Sequence, residues 1–92
     1  MPRCKKKRFC RFLDNEKIYK PIGYPMHNLE IVEIEIDEFE SIRLCDFENL
    51  SQIEAADKMR ISRGTVQRLL EKARYKILDA LINNKIIRIK KS

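Results

Sequence analysis

The sequence predicts a mainly α fold, in which a tri-helical helix-turn-helix domain carries short flanking β-strands and a basic N-terminal arm. Two helix-start signals lie eleven positions apart within residues 50–77, and apolar residues recur at helical spacing after each. A separate stretch, residues 31–36, alternates apolar and polar residues as a half-buried strand does. With 92 residues and only two glycines, the chain has the length of one small domain.

The first helix of the predicted motif begins after Ser51. Glu54 follows three residues later, so the Ser hydroxyl and the Glu carboxylate can form a capping box. Ile53, Ala56 and Met59 then predict one apolar face about two turns long.

Ser62 offers the second N-cap, and an apolar stripe follows it at Val66, Leu69, Ala73 and Ile77. Two capped helices with about three residues between them predict a helix-turn-helix. Two ordinary helices of a small bundle are the alternative.

The turn between these helices fits close packing, with one departure. The small pair at residues 55–56 suits helices that touch, and Ile61 is placed to fill the angle between them. Arg60 stands where such turns often have glycine in a left-handed conformation. A turn without positive φ would accommodate Arg60 more easily.

Charge is strongly segregated along the chain. Residues 1–27 carry eight basic and two acidic side chains, residues 28–57 one basic and ten acidic, and residues 58–92 eleven basic and two acidic. Positive charge therefore begins near the motif's turn and continues along its second helix. This distribution is the electrostatic footprint expected of a DNA-binding protein.

We divide the chain into a basic arm with a connector, residues 1–28, and a helix-turn-helix domain with flanking strands, residues 29–92. The arm is expected to neutralise phosphates or to enter a minor groove, with a solubilising tail as the alternative. Its candidate contact residues are Arg3, Lys5, Lys6, Lys7 and Arg8.

Two stretches have the pattern of strands, the acidic residues 31–36 and the basic residues 85–90, and residues 17–20 form a short extended piece. The acidic and basic strands would attract each other if paired, either within one chain or between two chains.

The first of the three helices is expected at residues 38–48. Asp37 is its predicted N-cap and Glu40 completes a capping-box pattern. Its acidic outer face should point away from DNA. Its apolar side chains, which should pack on the motif, are Phe39, Ile42, Leu44 and Phe47. The last helix is expected to run to residue 81 or 82, with Leu78 and Leu81 extending its stripe and Asn83-Asn84 as a left-handed stop.

In a helix-turn-helix the second helix enters the major groove with its N-terminal residues on base edges. Arg pairs with guanine and Gln with adenine, so we predict Arg63, Gln67 and Arg68 as base readers, although Arg68 could instead hold a phosphate. Gly64 would let the backbone approach closely. The other predicted phosphate-contacting or supporting residues are Ser51, Gln52, Lys58, Ser62, Thr65, Lys72 and Arg74.

The sequence gives little sign of a metal site or an enzyme. Cys4, Cys10, Cys45 and His27 would suffice for a zinc site, but their spacing lacks a paired C-x2-C element. Cys45 is expected to be a small core residue, and redox sensing at the other two cysteines stays open. The single histidine has no identifiable nucleophile partner, so we expect no catalytic residue, no cofactor and no metal.

Five stretches together carry a resemblance to a known family: residues 1–3 (MPR) before a basic run, 19–25 (YKPIGYP), 37–44 (DEFESIRL), 50–56 (LSQIEAA) and 61–63 (ISR). The chain resembles an uncharacterised family of small prokaryotic predicted DNA-binding proteins. Its motif is similar to region 4 of the sigma-70 factors over about residues 37–80. The resemblance implies a tri-helical DNA-binding fold without sigma activity. Family members often have Ala-like residues where Cys45 stands.

We therefore expect a sequence-specific DNA-binding protein that regulates transcription in the cytoplasm. Its expected partners are double-stranded DNA and a second copy of itself, because one helix reads too few base pairs for strong specificity. No membrane contact and no small-molecule substrate are expected. The alternative is a protein-interaction adaptor that uses the acidic strand and the first helix. RNA binding has less support because no aromatic stacking platform is present.

Overall fold

A computed structural model describes residues 16–90, so the N-terminal arm and its five candidate contact residues lie outside the described part. Within that part the chain is mainly helical, with three α-helices and a short three-stranded sheet. The elements in chain order are β1 (Lys17–Tyr19), a 3-10 turn (Met26–Asn28), β2 (Ile31–Ile34), α1 (Ile36–Ile42), a π-helical turn (Arg43–Phe47), α2 (Gln52–Met59), α3 (Arg63–Ile82) and β3 (Ile86–Ile89).

The C-terminal strand β3 lies in the middle of the sheet. It pairs antiparallel with β1 and parallel with β2, so the acidic and basic strands pair within the chain. Glu33 stands opposite Arg88 in the register, and the two side chains form an ion pair of 3.2 Å. The attraction predicted between the two strands is therefore confirmed.

The start of α1 differs from the prediction. Strand β2 ends at Ile34, two residues earlier than expected, and Glu35 rather than Asp37 becomes the N-cap. The carboxylate of Glu38 accepts a hydrogen bond of 3.0 Å from the Glu35 backbone N–H, as in a capping box. The same spacing of acidic residues occurs twice in this stretch. The earlier pair, Glu35 and Glu38, forms the capping box because Glu35 is the first residue after the end of β2.

The second half of the expected first helix is a π-helical turn. The backbone N–H of Glu48 donates to the carbonyl of Arg43 at 3.0 Å, which widens the helix by one residue. Arg43 pairs with carboxylates on both sides, Glu40 and Glu48, which holds the wider turn. Leu44 is buried as predicted, but Phe47 is 81% exposed, so its predicted packing on the motif is wrong.

The acidic side chains of α1 do not form the expected outer face. Asp37, Glu38 and Glu40 are all buried. Burying a charge is costly unless it is paired, and Glu38 and Glu40 each have a basic partner. Glu40 receives two hydrogen bonds from Arg43, and Glu38 lies 2.8 Å from the ammonium of Lys76 in α3. These carboxylates therefore fasten α1 to its neighbours.

The unit formed by α2, a three-residue turn and α3 begins as the sequence predicts. The Ser51 hydroxyl accepts a hydrogen bond from the Glu54 backbone N–H, the Glu54 carboxylate accepts one from the Ser51 backbone N–H, and Ser62 caps α3. Arg60 adopts the left-handed conformation with φ of 59°, so the turn does use positive φ, and it does so without glycine. Asn84 also has positive φ (56°), at the expected stop after α3.

The core lies between α2, α3 and Leu44. Its other buried members are Ala55, Ala56, Met59, Val66, Leu69 and Leu70, and Ile61 packs against them from the turn. The predicted packing of the small residues 55–56 between the helices and the predicted packing of Ile61 in the turn are therefore confirmed. Ile53 is 68% exposed, and Leu78 and Leu81 are also exposed, so the prediction that these three residues belong to core-facing apolar faces is wrong. No helix within residues 16–90 is long and apolar enough to cross a membrane.

Candidate nucleic-acid interface

The first two turns of α3 present the predicted reading residues on the surface. Arg63, Gln67 and Arg68 are exposed, while Val66, Leu69 and Leu70 between them are buried in the core. The helical repeat therefore separates the two sets of side chains, and burial of the apolar set fixes the direction of the exposed set. The exposed set stands on a rigid helix.

Arg63 is held by a residue of the preceding helix. Its Nη1 donates a hydrogen bond of 3.0 Å to Oε1 of Gln52, the first residue of α2. Both residues are among those predicted for the interface, and the structure brings them together across eleven positions of sequence. The contact orients the guanidinium and leaves its other N–H groups available, because an arginine carries five donors.

Arg68 is oriented by two hydroxyl groups. Its Nη2 lies 3.3 Å from Oγ1 of Thr65, and Thr65 shares a hydrogen bond of 2.9 Å with the hydroxyl of Ser62. Ser62 also accepts from the backbone N–H of Thr65, as the N-cap of α3. The cap and the guanidinium are therefore linked in one short chain of hydrogen bonds.

A cleft of about 210 Å³ lies between the start of α1 and this face of α3. Arg68, Thr65 and Lys72 line the α3 side of the cleft, and Glu35 and Glu38 lie on the other side. The interface is thus positive along this part of α3 and acidic at its border with α1. An approaching polyanion would be attracted to α3 and repelled by the start of α1.

Gly64 lies in the first turn of α3 with ordinary helical backbone. A Cβ built there would lie 3.8 Å from Nη1 of Arg68 and 4.0 Å from Oγ of Ser62, which are normal contact distances. Glycine in a helix costs about 1 kcal/mol relative to alanine. Nothing in the described fold therefore requires a glycine at this position.

The basic residues of α3 fall into two groups according to their partners. Arg74 is held by Asp46, with Nε to Oδ2 at 3.0 Å and Nη2 to Oδ1 at 2.6 Å, and Lys76 is held by Glu38. Within residues 16–90, Arg63 and Arg68 have no carboxylate partner. The hydrogen bonds from Arg74 lower the pKa of Asp46 below its ordinary value. Uncompensated charge is thus concentrated on the first half of the helix.

The remaining predicted residues take different positions. Ser51 uses its hydroxyl as the α2 cap, and Lys58 is exposed near the end of α2. Sequence reasoning missed Glu71, whose carboxylate lies 3.5 Å from Nε2 of Gln67. The signal was present in the sequence, because residues four apart on a helix are neighbours. Glu71 limits the positive surface of this face on its C-terminal side.

The cysteine and histidine positions form no common site within the described residues. Cys45 is half-buried against the core, and burial raises the pKa of its thiol, which disfavours the reactive thiolate. His27 is exposed in the 3-10 turn. Cys4 and Cys10 lie outside the described part. In residues 16–90, no three His, Cys, Asp or Glu side chains are arranged to hold a metal ion.

These features define a class of protein: a mainly helical chain with three helices, a short three-stranded sheet and an uncompensated basic face at the start of α3. Residues 1–92 match the family model described as "Protein of unknown function DUF134". The chain belongs to this family, whose curated relatives are named UPF0251 proteins.

Relatives of this chain occur in many prokaryotes. A UPF0251 protein of Caldanaerobacter subterraneus subsp. tengcongensis is 47% identical over 97% of this chain and 75% of its own length. One from Dehalococcoides mccartyi is 45% identical over 97% of this chain and 76% of its own length. One from Methanocella arvoryzae is 47% identical over 92% of this chain, but over only 51% of its own length. No solved structure gives a significant match.

Proposed function

We propose that this protein binds double-stranded DNA sequence-specifically and regulates transcription. In this proposal α2, the turn and α3 act as a helix-turn-helix of the sigma-70 region-4-like kind. The first two turns of α3 enter the major groove, where Arg63 and Gln67 contact base edges and Arg68 contacts a base or a phosphate.

The observation that carries the proposal is the division of charge along α3. Arg63 and Arg68 are exposed, lack carboxylate partners within residues 16–90, and are held by the neutral groups of Gln52 and Thr65. Neutral partners orient a guanidinium without neutralising it. Phosphate and guanine are the groups that such an oriented, charged fork binds best.

The start of the described chain supports a role for the N-terminal arm. Lys17 in β1 pairs with Ile89 at the end of β3, and the next residue, Lys90, lies 3.6 Å from Glu35. Glu35 lines the same cleft as Arg68. The start of β1 therefore lies near a residue that lines this cleft. In this proposal the basic residues of the arm contact the phosphates beside the groove that α3 occupies.

The alternative, an adaptor that binds through its acidic strand and first helix, has less support. Three α1 carboxylates are buried, and Glu33 of β2 is engaged by Arg88 and Lys90 at 3.2 and 3.4 Å. Little acidic surface of these two elements is then available to a basic partner.

The test is Arg63→Ala combined with Arg68→Ala, measured as binding to duplexes with and without the preferred motif. Each lost base contact should cost about 1–3 kcal/mol and relax the preference at its own base pair. Lys17→Ala with Lys20→Ala removes the same charge from exposed positions of β1 and the following loop. This control should lower affinity equally for all sequences, if it lowers it at all. Unchanged motif preference in the arginine variant would reject the proposed reading residues.

A further inference from the structure

The C-terminal half of α3 exposes four large apolar side chains. Tyr75 is 71%, Leu78 56%, Leu81 64% and Ile82 72% exposed, and we call these four residues the apolar stripe. Positions 75, 78 and 82 are three and four residues apart, so they follow one line along the helix. Single exposed apolar residues are common, whereas a contiguous set marks an interaction surface.

This line continues the surface that carries the proposed base-reading residues at the start of α3, which we call the reading face. Positions 64, 67, 68 and 71 precede it at the same spacing of three and four residues. One side of a single helix is therefore polar and basic over its first half and apolar over its second half. The two halves fit different partners, since a polyanion binds the first and an apolar surface the second.

Three charged residues beside the stripe are already paired within the chain. Arg74 is bound to Asp46 at 2.6 Å, Lys76 to Glu38 at 2.8 Å, and Asp79 to Lys85 at 2.9 Å. The stripe therefore offers a partner little net charge. Charge complementarity then favours an occupant that is itself apolar and electrically balanced, and disfavours nucleic acid or a strongly charged protein.

We propose that the apolar stripe binds the same stripe of a second copy of this chain. A two-fold contact uses one patch on both protomers, so the patch must complement itself. An apolar line bordered by these three internal ion pairs meets this condition, because a second copy brings no excess of one charge sign against it. The dimer contact does not depend on DNA. Its use, to join two reading helices for two half-sites, rests on the proposed function.

The size of the stripe sets the strength of this dimer. Four side chains of this kind, each more than half exposed, amount to roughly 400 Å² per protomer. A standard stable interface buries about 800 Å² per partner. We therefore expect a dissociation constant between about 1 µM and 1 mM, and stronger association when both protomers occupy neighbouring half-sites on one DNA.

The test is sedimentation equilibrium of the full chain without DNA, over concentrations from about 1 µM to 1 mM, where mass action would populate such a dimer. The double variant Leu78→Glu with Ile82→Glu should raise the dissociation constant at least tenfold. Ile53→Glu places the same charge on another exposed isoleucine, on α2, and should dimerise like the wild type. Circular dichroism checks that the double variant folds. If it does not fold, Ile82→Ser provides the test, since it adds no charge and should weaken the dimer severalfold.

Two results would overturn the inference. One is a wild-type chain that is monomeric over the whole concentration range. The same result is expected if another part of the chain covers the stripe. The other is a dimer that the folded stripe variants do not weaken. Because DNA is absent from this experiment, a chain that dimerises but binds no DNA would uphold the interface and reject the proposed function.

Discussion

Gly64→Ala separates the demands of folding from those of binding at the reading face. The new methyl group would lie 3.8 Å from Arg68 Nη1 and 4.0 Å from Ser62 Oγ, so it fits the folded chain without displacing either residue. Replacing a helical glycine with alanine stabilises by about 0.8–1 kcal/mol. For a domain of this size the melting temperature should rise by roughly 4–8 °C per kcal/mol.

The same change should weaken DNA binding. If the start of α3 lies in the groove with its backbone close to the bases, the added Cβ meets DNA atoms rather than solvent. Overpacking an interface costs about 1–3 kcal/mol, which is roughly a 5–150-fold loss of affinity. Thermal unfolding and fluorescence anisotropy on a labelled duplex measure the two effects on the same protein sample.

Gly64→Leu is the matched control for size, because leucine has nearly the helix propensity of alanine. It should be about as stable as Gly64→Ala and bind DNA still more weakly. An alanine variant that is more stable and binds DNA as well as the wild type would refute close backbone approach at this position. A variant that is less stable than the wild type would show that the fold itself needs the glycine.

Three further substitutions test other parts of the account. Gln52→Ala removes the 3.0 Å hydrogen bond to Arg63, so DNA affinity should fall about 2- to 10-fold with little change in melting temperature. An unchanged affinity would mean that this hydrogen bond does not orient Arg63 for binding. Ser51→Ala removes the α2 cap and should lower the free energy of unfolding by about 1 kcal/mol, measured by urea denaturation. Asp46 has a lowered pKa because Arg74 donates to it, so the stability it contributes is present above its ordinary pKa and is lost as pH falls through the lowered value. Asp46→Asn should therefore cost less than about 1 kcal/mol at pH 7, since the pair is half-exposed, and progressively less as the Asp46 carboxyl becomes protonated at acidic pH. A cost that does not change with pH would contradict this assignment.

The parts of the fold that could be predicted from the sequence depend on neighbours in the chain. The caps at Ser51 and Ser62 each act on a backbone group three residues away, so the residues that make the signal are also those that make the contact. The same holds for the turn residue Ile61. Where two equal local signals overlapped, at the start of α1, the end of β2 decided between them, and the sequence alone could not show where that strand ends.

The parts that the sequence could not show depend on contacts between distant parts of the chain. Ile31 and Ile86 are register partners although 55 residues separate them, and the parallel direction of their pairing leaves no local signal. The exposure of Phe47 and Leu78 depends on which face the packed neighbours cover, and helical spacing does not report this. The support of Arg63 by Gln52 crosses from one helix to the next, so it emerged only from the folded arrangement.

The central claim is sequence-specific DNA binding through the first half of α3, and selection from a random-sequence duplex pool tests it most directly. The selection is repeated over a salt series. The account predicts enrichment of one motif, and affinity that falls linearly with salt on logarithmic axes, with a slope near −0.9 per neutralised phosphate. Absence of binding even at low salt would contradict the claim, and salt-sensitive binding without any enriched motif would contradict its sequence specificity.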